Sequence, residues 1–471
     1  MERARTIEYG LVLLLGGQSI LAHYANAYDV GRYVVTVVLL IILALHVWRA
    51  ILAPGYVLAV LNTVLMFGSY SVSHIAVAQA ILWALLSLGV YLFPLPRFPA
   101  LAPAYPVVGC ATERLEDLDC RIFYPAQSTK KQTRQPYLHH GPHLAKGLSI
   151  FAKIPAFVFS NFKSAWLHAN KDAPLLAPPD SNKGWPVVVF SHGLGGTLEM
   201  YALYFTPSIG FVVFALNHND GSASVNRLVD SAKNVKYDYY HPLPPGATQD
   251  WDNIEYKIRN GQLHERVDNV EAILNSIESL QNDPSSAFYN KLDLDAIGLV
   301  GHSFGGATVF STAKVDRRVK AVVALDIWMA PLDKEDAVHG PSQPVCHLIS
   351  QQWVDWVSHM KTLEANVAAA PHPDAQLYAI KHSRHNNFSD LGLFSPKISQ
   401  LARAAGSIDT TYVLEIIADV TGAYLKHHLA GTNAPSLSSL EAKYPELCNL
   451  LKRDTASGYE TFASSKPART L

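Results

Sequence analysis

Apolar residues are distributed unevenly along the chain, and the N-terminal fifth is far more apolar than the rest. Residues 50–96 contain no Lys, Arg, Asp or Glu, and this run is longer than the roughly 20 residues that one bilayer crossing needs. Because three serines and a histidine interrupt its middle, we predict two membrane passes, at 56–72 and 76–93, joined by a turn. A second apolar run at 34–48 and a weaker one at 7–24 predict one or two further passes.

The charges that flank these runs predict an orientation for residues 1–98, the expected membrane region. In a four-pass arrangement, only Arg32 lies opposite the other arginines of this region. The arginines that share one side are Arg3, Arg5, Arg49 and Arg97. Positive residues concentrate on the cytosolic side of membranes, so we expect the N-terminus and the large C-terminal domain to be cytosolic. A cleaved signal peptide is the alternative, because Ala25-Asn26-Ala27 resembles a cleavage site.

A proline-dense spacer at 94–103 separates this region from a part of the chain with a different periodicity. Short apolar runs alternate there with helical patterns such as 263–280, whose apolar residues share one face. The predicted strands are 121–125, 185–191, 210–216, 293–300, 319–326 and 377–381. Fully apolar strands that alternate with helices are typical of a buried parallel sheet. We therefore predict an α/β domain over 99–430 and a polar C-terminal tail over 431–471.

The segment 143–166 is amphipathic, because apolar residues are interspersed with Lys146, Lys153 and Lys163. One interpretation is a segment that lies in a membrane interface, where the lysines meet anionic headgroups. The other is a cap helix whose apolar face packs on the α/β core. The two interpretations are compatible, and the sequence does not choose between them.

The composition argues against nucleic-acid binding and gives no sign of a metal site. Lys and Arg number 38 and Asp and Glu 39, so no net charge favours nucleic-acid binding. The cysteines, which form no Cys-x-x-Cys pair, are Cys110, Cys120, Cys346 and Cys448. Four free thiols are the default expectation, and a Cys110–Cys120 disulfide is the alternative. No ligand cluster indicates a metal, and we predict neither a metal nor a cofactor.

The strongest chemical signal is Gly301-His302-Ser303-Phe304-Gly305, a Gly-x-Ser-x-Gly pattern. An apolar strand precedes it and small residues that lead into a helix follow it, which is the arrangement of a nucleophile elbow. In such an elbow the glycines let the chain close a tight turn that leaves the serine exposed. We therefore predict an α/β-hydrolase fold with Ser303 as the nucleophile. An ordinary serine in a glycine-rich turn is the alternative.

Two backbone amides are predicted to form an oxyanion hole. The strand 185–191 runs into His192-Gly193-Leu194-Gly195-Gly196, and in this fold the corresponding loop supplies one amide. Glycines let that backbone approach the substrate closely. We assign the donors to the N–H groups of Leu194 and Phe304, the residue after the nucleophile. A simple glycine turn is the alternative for the first loop.

The acid and the base should follow the serine in the chain, in that order. Asp326 closes the apolar strand 319–326, and catalytic residues belong at the carboxyl ends of such strands, so we predict Asp326 as the acid. Three later aspartates close no strand, namely Asp333, Asp336 and Asp355. The strand 377–381 is followed by His382 and His385. Spacing alone leaves either histidine as the base.

Two other polar features lie near the predicted site. His218 and Asp220 precede Ser303, which is the wrong chain order for triad members, so we expect loop or supporting roles. The only N-glycosylation sequon is Asn387-Phe388-Ser389, directly after His385. A bulky glycan beside the base would be harmful, so the sequon weakly favours a cytosolic domain.

Four stretches together resemble the platelet-activating factor acetylhydrolase family, in its plasma and type II intracellular branch. They are 189–195, 301–309, 324–332 and 385–390, within a resemblance that covers roughly 105–429. The resemblance implies a nucleophile, an acid and a base at Ser303, Asp326 and His385. The histidine of the family's His-x-Asn-Phe motif corresponds to His385, which favours it over His382. The oxyanion donors implied by the resemblance are again Leu194 and Phe304.

The resemblance also implies a substrate. Members of this family hydrolyse short or oxidised sn-2 acyl groups of phospholipids without calcium, and they use an apolar helix like 143–166 to contact lipid surfaces. The familiar members lack a multi-pass membrane region, so residues 1–98 would be an addition that leaves the natural substrate open. A phospholipid and a membrane are therefore the expected partners.

Other functions compete with this hypothesis. One is a membrane-anchored carboxylesterase that acts on soluble esters. Another is a non-catalytic lipid-binding scaffold, although a scaffold needs none of Ser303, Asp326 and His385. A transporter with a hydrolase-like appendage is disfavoured, because the clearer apolar runs lack the intramembrane charges that mark a pathway.

Overall fold

A large mixed β-sheet organises the part of the chain that follows the N-terminal helices. The computed structural model describes residues 2–23, 29–45, 49–67, 75–96, 98, 105–129, 133–180, 182–205, 210–431 and 434–452. The strands are β1 (Val108–Leu115), β2 (Leu118–Pro125), β3 (Arg134–Pro136), β4 (Trp166–Lys171), β5 (Trp185–Ser191), β6 (Val212–Leu216), β7 (Val225–Val229), β8 (Val235–Tyr239), β9 (Leu292–His302), β10 (Val319–Leu325), β11 (Val345–Ser350), β12 (Gln376–Ile380) and β13 (Leu447–Asn449).

Among the described residues, eleven strands form one sheet in the order β13-β12-β11-β10-β9-β5-β6-β2-β1-β4-β3. The six strands from β12 to β6 are parallel, and β13 and β2 flank them in antiparallel pairing. The remaining strands, β7 and β8, form an antiparallel pair of their own. The prediction of a mostly parallel sheet is confirmed. Each predicted strand lies on an observed one, with ends that differ by a few residues.

Helices cover both faces of the sheet. The helices are α1 (Glu2–His23), α2 (Asp29–Leu45), α3 (Ala53–Phe67), α4 (Ala76–Leu92), α5 (Pro142–Ala152), α6 (Ala202–Phe205), α7 (Tyr256–Asn282), α8 (Phe304–Val315), α9 (Lys334–Val338), α10 (Gln351–Val354), α11 (Val357–Ala368), α12 (Leu391–Phe394), α13 (Pro396–Leu401), α14 (Thr410–Leu425) and α15 (Leu437–Lys443). Side chains alternate along β5, so Val188 and Phe190 join the core under α14, while Val187 and Val189 join the core under α7 and α8.

The four N-terminal helices correspond to the predicted membrane passes, and they correct that prediction. Among the described residues, no helix combines the length and the apolar character needed to cross a membrane. Helices α2 and α4 have 17 residues and α3 has 15, so each is about 26 Å long or less, short of a hydrocarbon core of roughly 30 Å. Helix α1 has 22 residues but includes Arg3, Arg5 and Glu8. The predicted multi-pass region is therefore not supported.

Some N-terminal expectations lie outside the described residues. These are the ends of three predicted passes at 24, 46–48 and 68–72, the cleavage-site resemblance at 25–27 and the position of Arg97. The placement of the catalytic domain on the cytosolic side stays a prediction. What the described residues do contain is a packed helical cluster, in which Arg49 and Glu8 form a buried ion pair at 2.7 Å.

The predicted C-terminal tail and the amphipathic segment also differ from expectation. Part of the tail, 437–449, forms α15 and β13, because Leu440, Tyr444 and Leu447 are apolar enough to be buried at the sheet edge. Residues 453–471 lie outside the described part of the chain. The amphipathic segment is not one helix. Helix α5 ends at Ala152, the next residue, Lys153, has a positive φ of 56°, and a 3₁₀ helix follows at Ala156–Ser164.

All four cysteines are free and buried. Cys110 and Cys120 lie on the paired strands β1 and β2 but are not opposite each other, since Cys110 faces Phe123 across the pair. The alternative of a disulfide between them is therefore wrong for this structure. Burial raises the pKa of the Cys110 thiol to about 12, and burial also raises the pKa of the Cys120 thiol well above its ordinary value.

A buried charged cluster joins four segments of the domain. In it, His140 lies between Asp119 of β2 and Glu199, with Nε2 3.3 Å from one carboxylate and Nδ1 2.8 Å from the other. Glu199 also accepts from the amides of His139 and His140 at 3.1 and 3.0 Å. Arg227 of β7 completes the cluster with an Nη2 that lies 2.6 Å from Asp119. The cluster fixes the start of α5 against the loop that follows the predicted oxyanion glycines.

We expect His140→Gln to destabilise the fold by roughly 3 kcal/mol at pH 6, because two buried carboxylates lose a cationic partner. Burial alone would lower the pKa of His140, but Glu199 and Asp119 raise it to about 9. The stabilisation is therefore fully present below about pH 6.5 and is lost as the pH rises through 9. Urea unfolding at pH 6 and pH 9.5 measures this difference.

The matched control is His241→Gln, which removes an exposed pair with Asp238 and should change the unfolding free energy by less than about 1 kcal/mol. A His140→Gln defect that is the same at both pH values would contradict a charged histidine in the cluster.

Candidate active site

Ser303 lies in a strained turn between β9 and α8. Its φ is 58° and its ψ is −117°, and its amide donates to Leu325 O of β10 at 2.9 Å. A Cβ on Gly301 would meet Gly305 O at 2.1 Å, and a Cβ on Gly305 would meet Ser191 O at 2.0 Å. Only glycine fits at these two positions, which explains the Gly-x-Ser-x-Gly pattern. The predicted elbow geometry is present.

Asp326 and His385 form a hydrogen-bonded pair beside the elbow. Asp326 directly follows β10, is fully buried and has a φ of 45°. Its Oδ2 lies 2.8 Å from Nδ1 of His385. The carboxylate also accepts from the amide and the hydroxyl of Ser350 at 2.6 and 2.8 Å. These three contacts fix the orientation of the buried carboxylate.

Two contacts hold His385 in place, one to its ring and one to its backbone amide. Trp353 stacks on it with a centroid distance of 4.2 Å and an interplanar angle of 3°, and Trp353 is itself held by its indole N–H, which donates to Ile327 O at 2.8 Å. The backbone amide of His385 donates to Gln352 Oε1 at 3.1 Å. The other candidate, His382, pairs with neither Asp326 nor Ser303 among the described residues. The geometry therefore favours His385 as the partner of Asp326.

The Ser303 hydroxyl and the His385 imidazole line the same cavity. Within the described part of the chain, no hydrogen bond joins Ser303 Oγ to His385, and such bonds are often long before substrate binds. The cavity has a volume of about 480 Å³. Its apolar lining includes Leu148, Phe151, Val158, Phe159, Phe162, Leu391, Phe394 and Ile398. The segment 142–164 and helices α12 and α13 thus supply this apolar lining.

The two predicted oxyanion donors belong to segments that adjoin Ser303. Phe304 begins α8, so its N–H is among the first four of the helix, which have no intrahelical acceptor. Leu194 lines the cavity in a turn held by Gly196, whose amide donates to Gly193 O at 3.0 Å. Gly193 lies against the serine, since a Cβ there would come 3.1 Å from Ser303 Cβ. Their role as donors to substrate stays a prediction.

The sequence did not reveal that Arg266 supports the oxyanion loop. This residue of α7 is fully buried; its Nη1 donates to His192 O at 2.6 Å and its Nε to Asp220 Oδ2 at 2.9 Å. The guanidinium also lies 4.4 Å from the centre of the Phe304 ring. The supporting roles expected of His218 and Asp220 agree with this, because His218 Nε2 lies 2.7 Å from Ser191 Oγ.

The motif after His385 is structural. Asn387 is fully buried; it accepts from the amides of Arg384 and Gly406 at 2.8 and 2.7 Å, and its Nδ2 donates to Thr410. The sequon at this position is therefore inaccessible in the folded chain. Asp390, also buried, accepts from the Ala202 amide at 2.9 Å, and burial raises its pKa to about 7.

Metal-ligating side chains approach one another at three places among the described residues. In each cluster the donor atoms lie within 4.8 Å of one another. The clusters are Asp119 with His139 and His140, His302 with Asp326 and His385, and Asp374 with His427 and His428. The first is already neutralised by Arg227, and the second contains the acid–imidazole pair. No step of the chemistry below needs a metal.

The sheet order, the elbow and the Asp326–His385 pair together define an α/β-hydrolase. A ferulic acid esterase from Streptomyces cinnamoneus shares the fold, with a TM-score of 0.55 and 18% identity over 74% of this chain and 98% of that chain. A family model described as platelet-activating factor acetylhydrolase, isoform II, matches residues 96–434. The chain belongs to this family.

Curated relatives support the same assignment. The platelet-activating factor acetylhydrolase of Canis lupus familiaris is 29% identical over 335 residues, which cover 66% of this chain and 71% of the relative. A putative phospholipase A2 of Schizosaccharomyces pombe is 26% identical over 352 residues, which cover 60% of this chain and 77% of the relative. The family resemblance is confirmed, and the chain is an enzyme that hydrolyses ester bonds.

The two candidate histidines can be separated by substitution. We expect His385→Ala to lower kcat for a chromogenic short-chain ester by about 10³-fold or more, because the predicted base and its contact with Asp326 would be lost. His382→Ala is the matched control in the same loop, and we expect its kcat to stay within about threefold of wild type. The opposite ranking would make His382 the base.

Proposed function

We propose that the chain hydrolyses the sn-2 acyl ester of phospholipids, including short acyl groups, without calcium. Ser303 is the nucleophile, His385 the general base and Asp326 the acid that orients it. The observation that carries this proposal is the arrangement of the Asp326–His385 pair, with 2.8 Å between Oδ2 and Nδ1, and the Ser303 elbow at one apolar cavity. The names of the relatives support the lipid class of the substrate.

In the first step, Nε2 of His385 accepts the proton of Ser303 Oγ as the oxygen attacks the ester carbonyl. Asp326 keeps the proton on Nδ1 and stabilises the imidazolium that forms. The imidazolium then protonates the departing glycerol oxygen, and a lysophospholipid leaves. Water, deprotonated by the same imidazole, hydrolyses the acyl-serine and releases the fatty acid.

The oxyanion of each tetrahedral intermediate is stabilised by the amides of Leu194 and Phe304. One such donor typically lowers the barrier by about 3–4 kcal/mol. Arg266 acts behind this loop: its hydrogen bond to His192 O and its position over the Phe304 ring hold both donors in register. The chemistry uses side chains and amides of this chain only, which supports independence from calcium.

The rim of the cavity supports access from a lipid surface. Ile150, Ile154 and Phe157 of the segment 142–164 are exposed, and this segment contributes to the cavity wall. Exposed apolar side chains beside a lipid-binding cavity are suited to shallow insertion among acyl chains. The segment thus combines the two roles that the sequence left open, cap and interfacial contact.

We expect Ser303→Ala to abolish release of acetate and of longer sn-2 acyl groups from phosphatidylcholine analogues, by about 10⁴-fold or more. Ser279→Ala, an exposed serine on α7, is the control and should be fully active. Adding a calcium chelator should leave the wild-type rate unchanged. Hydrolysis of a soluble short ester without lipid turnover would instead support a carboxylesterase, and inactivity on both would support a scaffold.

The interfacial role of the segment 142–164 has its own test. We expect Phe157→Glu to lower the rate on phosphatidylcholine vesicles about tenfold while the rate on a monomeric short-chain lipid stays unchanged, because insertion and not chemistry is impaired. Val235→Glu, exposed on the β7–β8 pair, is the control. Equal losses on vesicles and monomers would count against the interfacial role.

A further inference from the structure

A second cavity lies beside the candidate active site, on the other side of a group of tryptophans. It has a volume of about 720 Å³, and its lining includes Trp251, Tyr256 and Trp356. Trp356 also lines the cavity that contains Ser303. Trp328, another residue of the active-site cavity, packs against Phe304 at 5.6 Å and against Trp251 at 5.8 Å. A chain of ring contacts therefore connects the oxyanion residue with the second cavity.

The two cavities differ in chemical character. The active-site cavity is walled by aliphatic and aromatic side chains, with polar groups at the serine. The second cavity adds charges of both signs, from Lys257, Lys334 and Asp252. Among the described residues, none of these three forms an ion pair or a side-chain hydrogen bond, so their charges are available to a ligand.

An irregular helical turn before α7 brings several of the lining side chains of the second cavity together. Residues Trp251–Glu255 form one turn of π-helix directly before α7, and Asp250 caps this turn by accepting from the Asn253 amide at 3.2 Å. Such turns are often found at functional sites, because they redirect side chains that a regular helix would turn away. Here Trp251, Asp252 and Tyr256 all reach the cavity. Lys334, at the start of α9, faces them from the loop that follows the acid.

We propose that the second cavity is a headgroup subsite, which takes a zwitterion of phosphocholine type while the acyl chain occupies the active-site cavity. The inference rests on the proposed function, since it names the polar part of the same substrate. The faces of Trp251 and Tyr256, with the carboxylate of Asp252, suit a quaternary ammonium. The ammonium groups of Lys257 and Lys334 suit the phosphate.

The subsite is tested by comparing two substrates with the same acyl group, a monomeric short-chain phosphatidylcholine and a soluble chromogenic ester. We expect Trp251→Ala to lower the ratio of kcat/KM for the lipid to kcat/KM for the ester about tenfold, mainly through KM for the lipid. The double variant Lys257→Gln/Lys334→Gln should lower the ratio for phosphatidylcholine and for phosphatidylglycerol alike. Trp251→Ala should spare phosphatidylglycerol, which has no ammonium.

The controls are Tyr289→Ala and Lys320→Gln, an exposed aromatic residue and an exposed lysine away from both cavities, and both should keep the wild-type ratio. A Trp251→Ala variant that loses lipid and ester activity equally would overturn the inference, because it would mean that Trp251 only supports the active site. An unchanged ratio in all variants would overturn it as well.

Binding measured without turnover separates this inference from the proposed function. Glycerophosphocholine is titrated calorimetrically into Ser303→Ala and into the same variant that also carries Trp251→Ala. Binding that the second substitution weakens about tenfold supports the subsite, even if lipid hydrolysis is absent. No binding to Ser303→Ala, together with normal lipid turnover by wild type, would discard the subsite and keep the hydrolase.

Discussion

The hydrogen bond between Asp326 and His385 is the interaction on which the site depends. The order of the strands in the sheet brings its two partners together. Asp326 ends β10, Ser350 ends β11 and His385 follows β12, so three adjacent parallel strands deliver the carboxylate, its donors and the imidazole to one edge. The carboxylate is buried, yet every contact described for it is a donor or an imidazole. These contacts hold the carboxylate in the orientation that meets the imidazole.

Much of this arrangement could be predicted from the chain alone, because it follows from local rules. The Gly-x-Ser-x-Gly pattern is local in sequence, although Gly305 is required by its contact with the distant Ser191 O. Asp326 was predictable from the end of an apolar strand. Spacing alone did not choose His385 over His382, since both follow β12. The family resemblance favoured His385, and the course of the loop brings this histidine to Asp326. Arg266, Trp353 and Ser350 were missed for a related reason, as each acts across a large separation in sequence.

The expected multi-pass membrane region at 1–98 is not supported, and the reason lies in the helices themselves. Lack of charge over a long run predicted membrane passes, but no described helix combines the length and the apolar character needed to cross a membrane. Within the cluster, Leu11, Leu15, Leu58 and Leu86 are buried together. Two polar residues within the apolar run also contact each other. The side chain of Gln79 on α4 donates to Asn62 Oδ1 on α3 at 2.8 Å and joins the two helices. These helices adjoin the cavity rim, where α4 contacts α13, so the N-terminal cluster and the substrate cavity share a boundary.

The four buried thiols can report local opening of the sheet. They lie on β1, β2, β11 and β13, so they sample the sheet from its C-terminal edge, across the strands beside Asp326, to the antiparallel flank. A thiol reacts only as the exposed thiolate, so alkylation of each one reports the opening of its own strand. Equal alkylation rates for the four thiols would show that the sheet opens cooperatively. Faster alkylation of the thiols near one edge would show that opening begins at that edge.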